Sequence, residues 1–116
     1  MWKGVPLKTY WYVATLIVQC SVEGIVTGPW MCDEQIRVLR AADDDAAYEK
    51  AMQLGIAEEH TYPNAEGKSV SWTFVGVSDL EMLSTDTIKD GIEIKSRLFH
   101  SDDPSRLVQS KDELTT

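Results

Sequence analysis

Two histidines (His60, His100), two cysteines (Cys20, Cys32) and 19 carboxylates are the groups with which this 116-residue chain could do nucleophilic, acid–base or metal chemistry. Their spacing argues against all three. Glu58, Glu59 and His60 are consecutive, so on a helix their side chains fan apart instead of sharing the face that an i, i+3 or i, i+4 ligand pair needs. His100 stands alone before a polar tail. Asp43-Asp44-Asp45 lacks the alternating oxygen ligands and closing glutamate of a calcium loop, and suits the start of a helix, where carboxylates accept from free N–H groups. Cys20 and Cys32 form no metal motif. A hairpin turning near residue 26 would set them roughly opposite each other, yet without a secretory signal two free, half-buried thiols are the expected state. No Gly-x-Ser-x-Gly elbow and no serine–histidine–aspartate order is present. Gly24-x-x-x-Gly28-Pro29 lacks the lysine and hydroxyl residue of a phosphate-binding loop. The reading therefore assigns no catalytic, cofactor-binding or metal residue and implies no cofactor.

The carboxylates are informative as a charge distribution. Eleven lysines and arginines against 19 acids give a net charge of -8. Residues 41–66 alone carry -6, residues 1–40 carry +1, 67–100 carry -1 and 101–116 carry -2. A general nucleic-acid binder needs a basic footprint. Only Arg37, Arg40, Lys95 and Arg97, with Trp11 and Trp72 to stack bases, could build a small one, and they would have to share a face. The concentrated acid instead suits a solvated helix or a surface facing a basic partner.

The elements that must position these groups follow from periodicity. Residues 10–22 are dense in aromatic and β-branched side chains and predict a long strand. Tyr12, Ala14, Leu16, Val18, Cys20 and Val22 should face the core, with Trp11, Val13, Thr15, Ile17 and Gln19 opposite. Thr27-Gly28-Pro29 marks a loop, and residues 32–40 predict a second strand forming a hairpin with the first. Asp43 to Asp45 open a helix that the spacing carries to about residue 60, with Ala47, Ala51 and Gly55 stacked as a small-residue stripe for close approach to a sheet. A third strand follows over 70–77, with Val70, Trp72 and Phe74 on one face and Ser71, Thr73, Val75 and Val77 on the other; Gly76 suggests a bulge. Residues 79–87 are ambiguous, Asp90-Gly91 is a turn, and alternation of Ile92, Ile94 and Leu98 with Glu93, Lys95 and Arg97 predicts a fourth strand over 92–99. Arg37 or Arg97 would pair across the sheet with Glu34 or Glu93.

The expected architecture is thus α+β, a two-layer sandwich: a four-stranded, mainly antiparallel sheet in sequence order β-β-α-β-β, with one helix packed on one face. One domain should span 1–100 after a lead-in over 1–9, with a flexible tail over 101–116 in which Leu107 and Val108 dock at most locally. The second sheet face would be open and suited to homodimerisation. Residues 1–13 show no signal peptide, and the longest apolar run, 13–18, is too short to span a membrane, so a cytoplasmic location is expected.

Trp11-Tyr12-Val13 resembles the opening of a bacterial domain of unknown function, the DUF4288 family. So do Glu34-Gln35-Ile36-Arg37-Val38, Ala47-Tyr48-Glu49-Lys50-Ala51, Glu59-His60-Thr61-Tyr62-Pro63-Asn64, the run from Val70 to Val77, and Ser96-Arg97-Leu98-Phe99. The resemblance covers roughly residues 10–100. It implies a small bacterial cytosolic protein and supplies no catalytic residue to carry over. It points to Glu59 with Tyr62, Trp72 and Arg97 as surface features. Two functional expectations follow. The first is a non-catalytic interaction or accessory module that inhibits a basic partner through the acidic helix. The second is a small enzyme or ligand-binding domain using carboxylates near Tyr62, His60 and Arg97.

Overall fold

The computed structural model describes residues 8–115, so the part of the expected lead-in up to residue 7 lies outside the described residues. The elements are β1 (Tyr10–Val22), β2 (Cys32–Ala41), α1 (Asp44–Ala57), β3 (His60–Pro63) and β4 (Ser69–Met82), followed by a short 3-10 turn (Pro104–Leu107) and α2 (Lys111–Thr115). All pairings are antiparallel and the sheet order is β2-β1-β4-β3. The β-β-α-β-β order is therefore present, but two of its members differ from expectation.

The helix stops at Ala57, not near residue 60, and the Glu58 N–H closes it on the carbonyls of Gly55 and Ile56. His60 to Pro63 then pair with Trp72 to Ser69 as a short edge strand. Residues 92–99 form no strand at all. The third strand instead runs on to Met82, so the ambiguous residues after Asp79 supply the long central ladder with β1. The chain beyond it folds back across the sheet. Leu83 N–H donates to the Trp11 carbonyl (2.7 Å), Trp11 Nε1 donates to the Asp86 carbonyl (3.2 Å) and Lys95 Nζ pairs with Asp79 Oδ2 at 2.7 Å.

The flat two-layer sandwich is also corrected: the sheet curls into a half-barrel around the helix. Two register shifts in the β1–β4 ladder, at Ser78 and at Val75, insert extra residues into β4. Bulges of this kind bend a strand and increase its twist. They also reset the faces. Val77, expected beside Val75, pairs with Leu16 and joins the core.

That core is small and lies between the concave sheet face and α1. Tyr12, Ala14, Leu16, Leu39, Ala41, Ala47 and Ala51 form it, with Leu54, Phe74, Val77 and Leu80 packed around them. The small-residue stripe places the helix hard against β4: a Cβ on Gly55 would clash with the Phe74 ring. The helix start is as expected, with Asp43 Oδ1 accepting from Ala46 N at 2.8 Å. The Tyr12 phenol donates to Asp44 Oδ1 at 3.1 Å, and burial, then Asp44, pushes its pKa up.

On the convex face Val13 and Thr15 are 1% and 4% exposed. The face expected to be open is thus partly roofed by the segment after β4. Ile36, Val38 and Val75 remain exposed on the convex side. The 3-10 turn and α2 pack on no other element, and Leu107 and Val108 are exposed. The radius of gyration is 19.2 Å, against about 13 Å for a compact chain of this length, so the last residues project from the body.

Candidate functional site

The helix covers the sheet only as far as Leu16 and Leu39, and the change is written in β2. On its concave side β2 carries Ala41 and Leu39 beneath the helix, then Arg37, Gln35 and Asp33 beyond it, opposite Ala14, Leu16 and Val18. A strand face that switches from apolar to polar marks where its cover ends. That switch is the signal in the sequence that locates these three residues, and alternation alone does not expose it.

Beyond the helix end, Val18, Asp33, Gln35, Glu58, His60 and Trp72 line a cleft of about 260 Å³. Its polar wall is one connected chain. Glu58 Oε1 is paired with Arg37 Nη2; Arg37 Nη2 also donates to Gln35 Oε1 (2.7 Å), and Gln35 Nε2 donates to Asp33 Oδ2 (2.8 Å). The Arg37–Glu34 pairing expected across the sheet is replaced by Arg37–Glu58. Each of these two side chains keeps 33% of its surface exposed.

The opposite wall is aromatic. β3 and β4 place His60 directly across from Trp72. His60 stacks on Tyr62 with ring centroids 5.7 Å apart, and Trp72 Nε1 donates to the Tyr62 hydroxyl at 3.4 Å. His60 Nδ1 lies 2.8 Å from the Glu58 carbonyl. A carbonyl only accepts, so Nδ1 carries the proton. Glu59 Oε2 accepts from Phe74 N at 3.1 Å, which ties the helix exit to β4.

The charges at the helix exit are predominantly acidic, with Arg37 the cation that meets Glu58. Asp33 and Glu58 line the cleft, and Glu59 is held by the Phe74 N–H. The last turn of α1 contains no basic residue, so its carbonyl end, the negative pole of the helix dipole, is not neutralised within the helix. Carboxylates placed there are unfavourable unless a cation joins them. The wall of π-faces adds attraction for a cation.

The sequence-expected groups are thereby sorted. His60 lines this cleft with Glu58 and Trp72; Tyr62 stands behind them, stacked on His60 and accepting from Trp72 Nε1. Arg97 does not line it; its guanidinium lies 5.0 Å from the Phe99 ring. The acidic stretch divides between the two ends of α1, Asp43 to Asp45 at the start and Glu58 with Glu59 at the finish. The four basic residues share no face. Arg37 is concave, Arg40 is convex over Trp11 (4.8 Å), Lys95 is held by Asp79 and Arg97 lies in the returning segment. Cys20 and Cys32 are free; Cys32 pairs with Gln19, one position from Cys20, which sets the two thiols on opposite faces. Among the described residues no group of three or more His, Cys, Asp or Glu is arranged to hold a metal, and no helix is long and apolar enough to cross a membrane.

A family model described as a domain of unknown function, DUF4288, matches residues 11–96. No curated protein and no solved structure matches the chain.

Proposed function

We propose that this chain, which belongs to the DUF4288 family, is a non-catalytic recognition module whose cleft at the end of α1 receives one arginine or lysine side chain of a basic protein partner. The observation that carries the reading is the cleft itself: carboxylates at a helix C-terminus without a basic residue in its last turn on one wall, Trp72 and His60, the latter stacked on Tyr62, on the other. At about 260 Å³ it lies below the range of about 300–1,000 Å³ usual for small-molecule sites, and it suits a single side chain. Holding an arginine or lysine here would take a basic surface out of action, which is the form an inhibitory role takes. Of Tyr62, His60 and Arg97, the residues of the alternative carboxylate-based enzyme, His60 alone lines the cleft.

The test is a two-dimensional NMR titration with an N-acetyl-arginine amide and with an arginine-rich peptide. The expected shifts fall on the Trp72 indole N–H and on His60. Trp72→Ala should weaken binding about fivefold, the effect of one cation–π contact, and Asp33→Asn should weaken it most at low salt, the difference from wild type shrinking as salt rises. Equal binding of a glutamate-rich peptide, or shifts confined to residues 43–45, would overturn the reading.

A further inference from the structure

Among the described residues β2 forms an open edge of the sheet. β2 is an outer strand of the sheet, ten residues long, with an unbroken register against β1 and no proline. Native edges of this length are normally shortened, bulged, covered or charged, and β2 carries charges of both signs, Asp33, Glu34, Arg37 and Arg40. It also leaves Ile36 and Val38 at 55% and 40% exposure beside its free backbone groups.

The phase of those groups is fixed by the ladder. Cys20 N–H donates to the Met31 carbonyl at 2.8 Å, which makes that pair a hydrogen-bonded one, and such pairs alternate along an antiparallel ladder. Asp33, Gln35, Arg37 and Leu39 therefore turn their backbone groups toward β1, while Glu34, Ile36, Val38 and Arg40 turn theirs to the open edge. Lys50 Nζ donates to the Arg40 carbonyl at 3.1 Å, in keeping with the outward direction of that carbonyl. A carbonyl has two lone pairs, so one is left for a partner strand.

We propose that β2 pairs antiparallel with β2 of a second copy about a two-fold axis through Arg37, joining two half-barrels into one continuous sheet. A two-fold perpendicular to the sheet requires opposed residues to lie on the same face, so the axis must pass through a residue position. The register centred on Arg37 sets Glu34 of each copy opposite Arg40 of the other, and Ile36 of each opposite Val38 of the other. All four positions offer outward backbone groups, and every pair is either opposite in charge or apolar, the combinations that stabilise cross-strand neighbours. At the axis the two Arg37 side chains meet on the concave face, each already paired with its own Glu58. On the convex face Arg40 is held over Trp11 and by the Thr9 carbonyl (3.4 Å), which fixes it at the rim. The register centred on Ile36 would instead oppose Glu34 to Val38 and Cys32 to Arg40, which leaves the charges unmatched.

Sedimentation or light scattering on the full chain tests this through a charge swap. The wild type should be a dimer of 13.0 kDa chains. Glu34→Arg or Arg40→Glu alone should weaken dimerisation about tenfold, since each reversal acts twice across the axis. The double variant E34R/R40E should restore it, because both cross-pairs are rebuilt with their signs exchanged. Val38→Pro removes an outward N–H without touching the β1 ladder and should give monomers. A wild type that stays monomeric at roughly 100 µM, a range in which micromolar pairs are formed, overturns the proposal. So does a dimer that ignores the single reversals and Val38→Pro, or a double swap that fails to restore it. Glu34 and Arg40 lie on the face opposite the cleft, so neither reversal alters a residue that lines it.

Discussion

Gly55→Ala is the sharpest probe of how closely α1 approaches the sheet. In an exposed helix the change would stabilise the protein by about 1 kcal/mol, because alanine is the better helix former. Here the added methyl enters the space of the Phe74 ring, with Cε1, Cζ and Cδ1 its nearest atoms. Either the ring leaves the core it packs against or the helix lifts from β4, where Ala47 and Ala51 are fully buried. Overpacking of this kind costs about 1–3 kcal/mol, and a methyl overlapping ring carbons belongs at the upper end. The net expectation is a loss of about 2 kcal/mol, which for a chain of this size lowers Tm by roughly 8 °C. The assay is urea and thermal unfolding followed by circular dichroism, run as a cycle with Phe74→Leu. In the Phe74→Leu background the same glycine change should become neutral or stabilising, since the ring it meets is gone. If Gly55→Ala raises the Tm of the wild-type background, the close approach is absent and the half-barrel does not wrap the helix as described.

Two further predictions concern the convex side. Thr15 is 4% exposed and its Oγ1 has no hydrogen-bond partner among the described residues, so Thr15→Val keeps the β-branched shape, removes that hydroxyl and should stabilise by about 1 kcal/mol; a loss in urea unfolding refutes it. The Asp79–Lys95 pair anchors the returning segment. Its hydrogen bond, chiefly, holds the Asp79 carboxyl below the usual range and lifts the Lys95 ammonium above its own. A lowered acid contributes above its unfolded pKa, about 3.9, and is lost as pH falls through the folded value. A raised base contributes below about 10.4 and is lost as pH rises through its folded value. The anchor is therefore complete between those limits. Limited proteolysis after Lys89 should accelerate in Asp79→Asn at neutral pH; unchanged cleavage rates would show that the segment is held by other contacts.

The parts of the fold that were legible in the sequence are those where one physical signal acted without a competitor. The aromatic and β-branched density of residues 10–22 defined β1 and its core face. Asp43 and the Ala47–Ala51–Gly55 stripe defined the helix start and its buried side. β3 was hidden because all four of its residues are exposed, so it carries no alternation, and because Ile56, Glu58, Glu59 and Tyr62 continue the helical spacing past the true stop. β4 was legible to Phe74 and then lost, since each bulge shifts the face by one residue and a period-two reading assigns Val77 to the wrong side. Residues 92–99 alternate like a strand, yet Asp79 captures Lys95 and holds the segment against the convex face. In the site, His60 and Tyr62 were accessible as neighbours in sequence. Asp33, Gln35 and Trp72 were not, because they reach the cleft only through the β1 register that places Val18 beside the first and Cys20 beside the last.

The cleft and the free edge share a cause. A single 14-residue helix cannot cover a sheet whose central strands have 13 and 14 residues: at 1.5 Å per residue it spans about 21 Å, against about 44 Å for a 13-residue strand. Curling brings the strands round the helix and buries Ala14, Leu16 and Val18, but the far half of the concave face stays uncovered. Apolar side chains there would expose a large patch. The chain places Arg37, Gln35 and Asp33 on that half, and these polar groups satisfy one another along the strand. Only the aromatic side chains from β3 and β4 remain without a layer above them. The same shortfall leaves β2 without a neighbour on its outer side, where Lys50 reaches only the Arg40 carbonyl. A second, longer helix would have closed both features at once. Because the fold has one helix on the sheet and it starts at the Asp44 end, the open region is confined to the opposite end, where the carbonyl pole of α1, Glu58 and Trp72 converge.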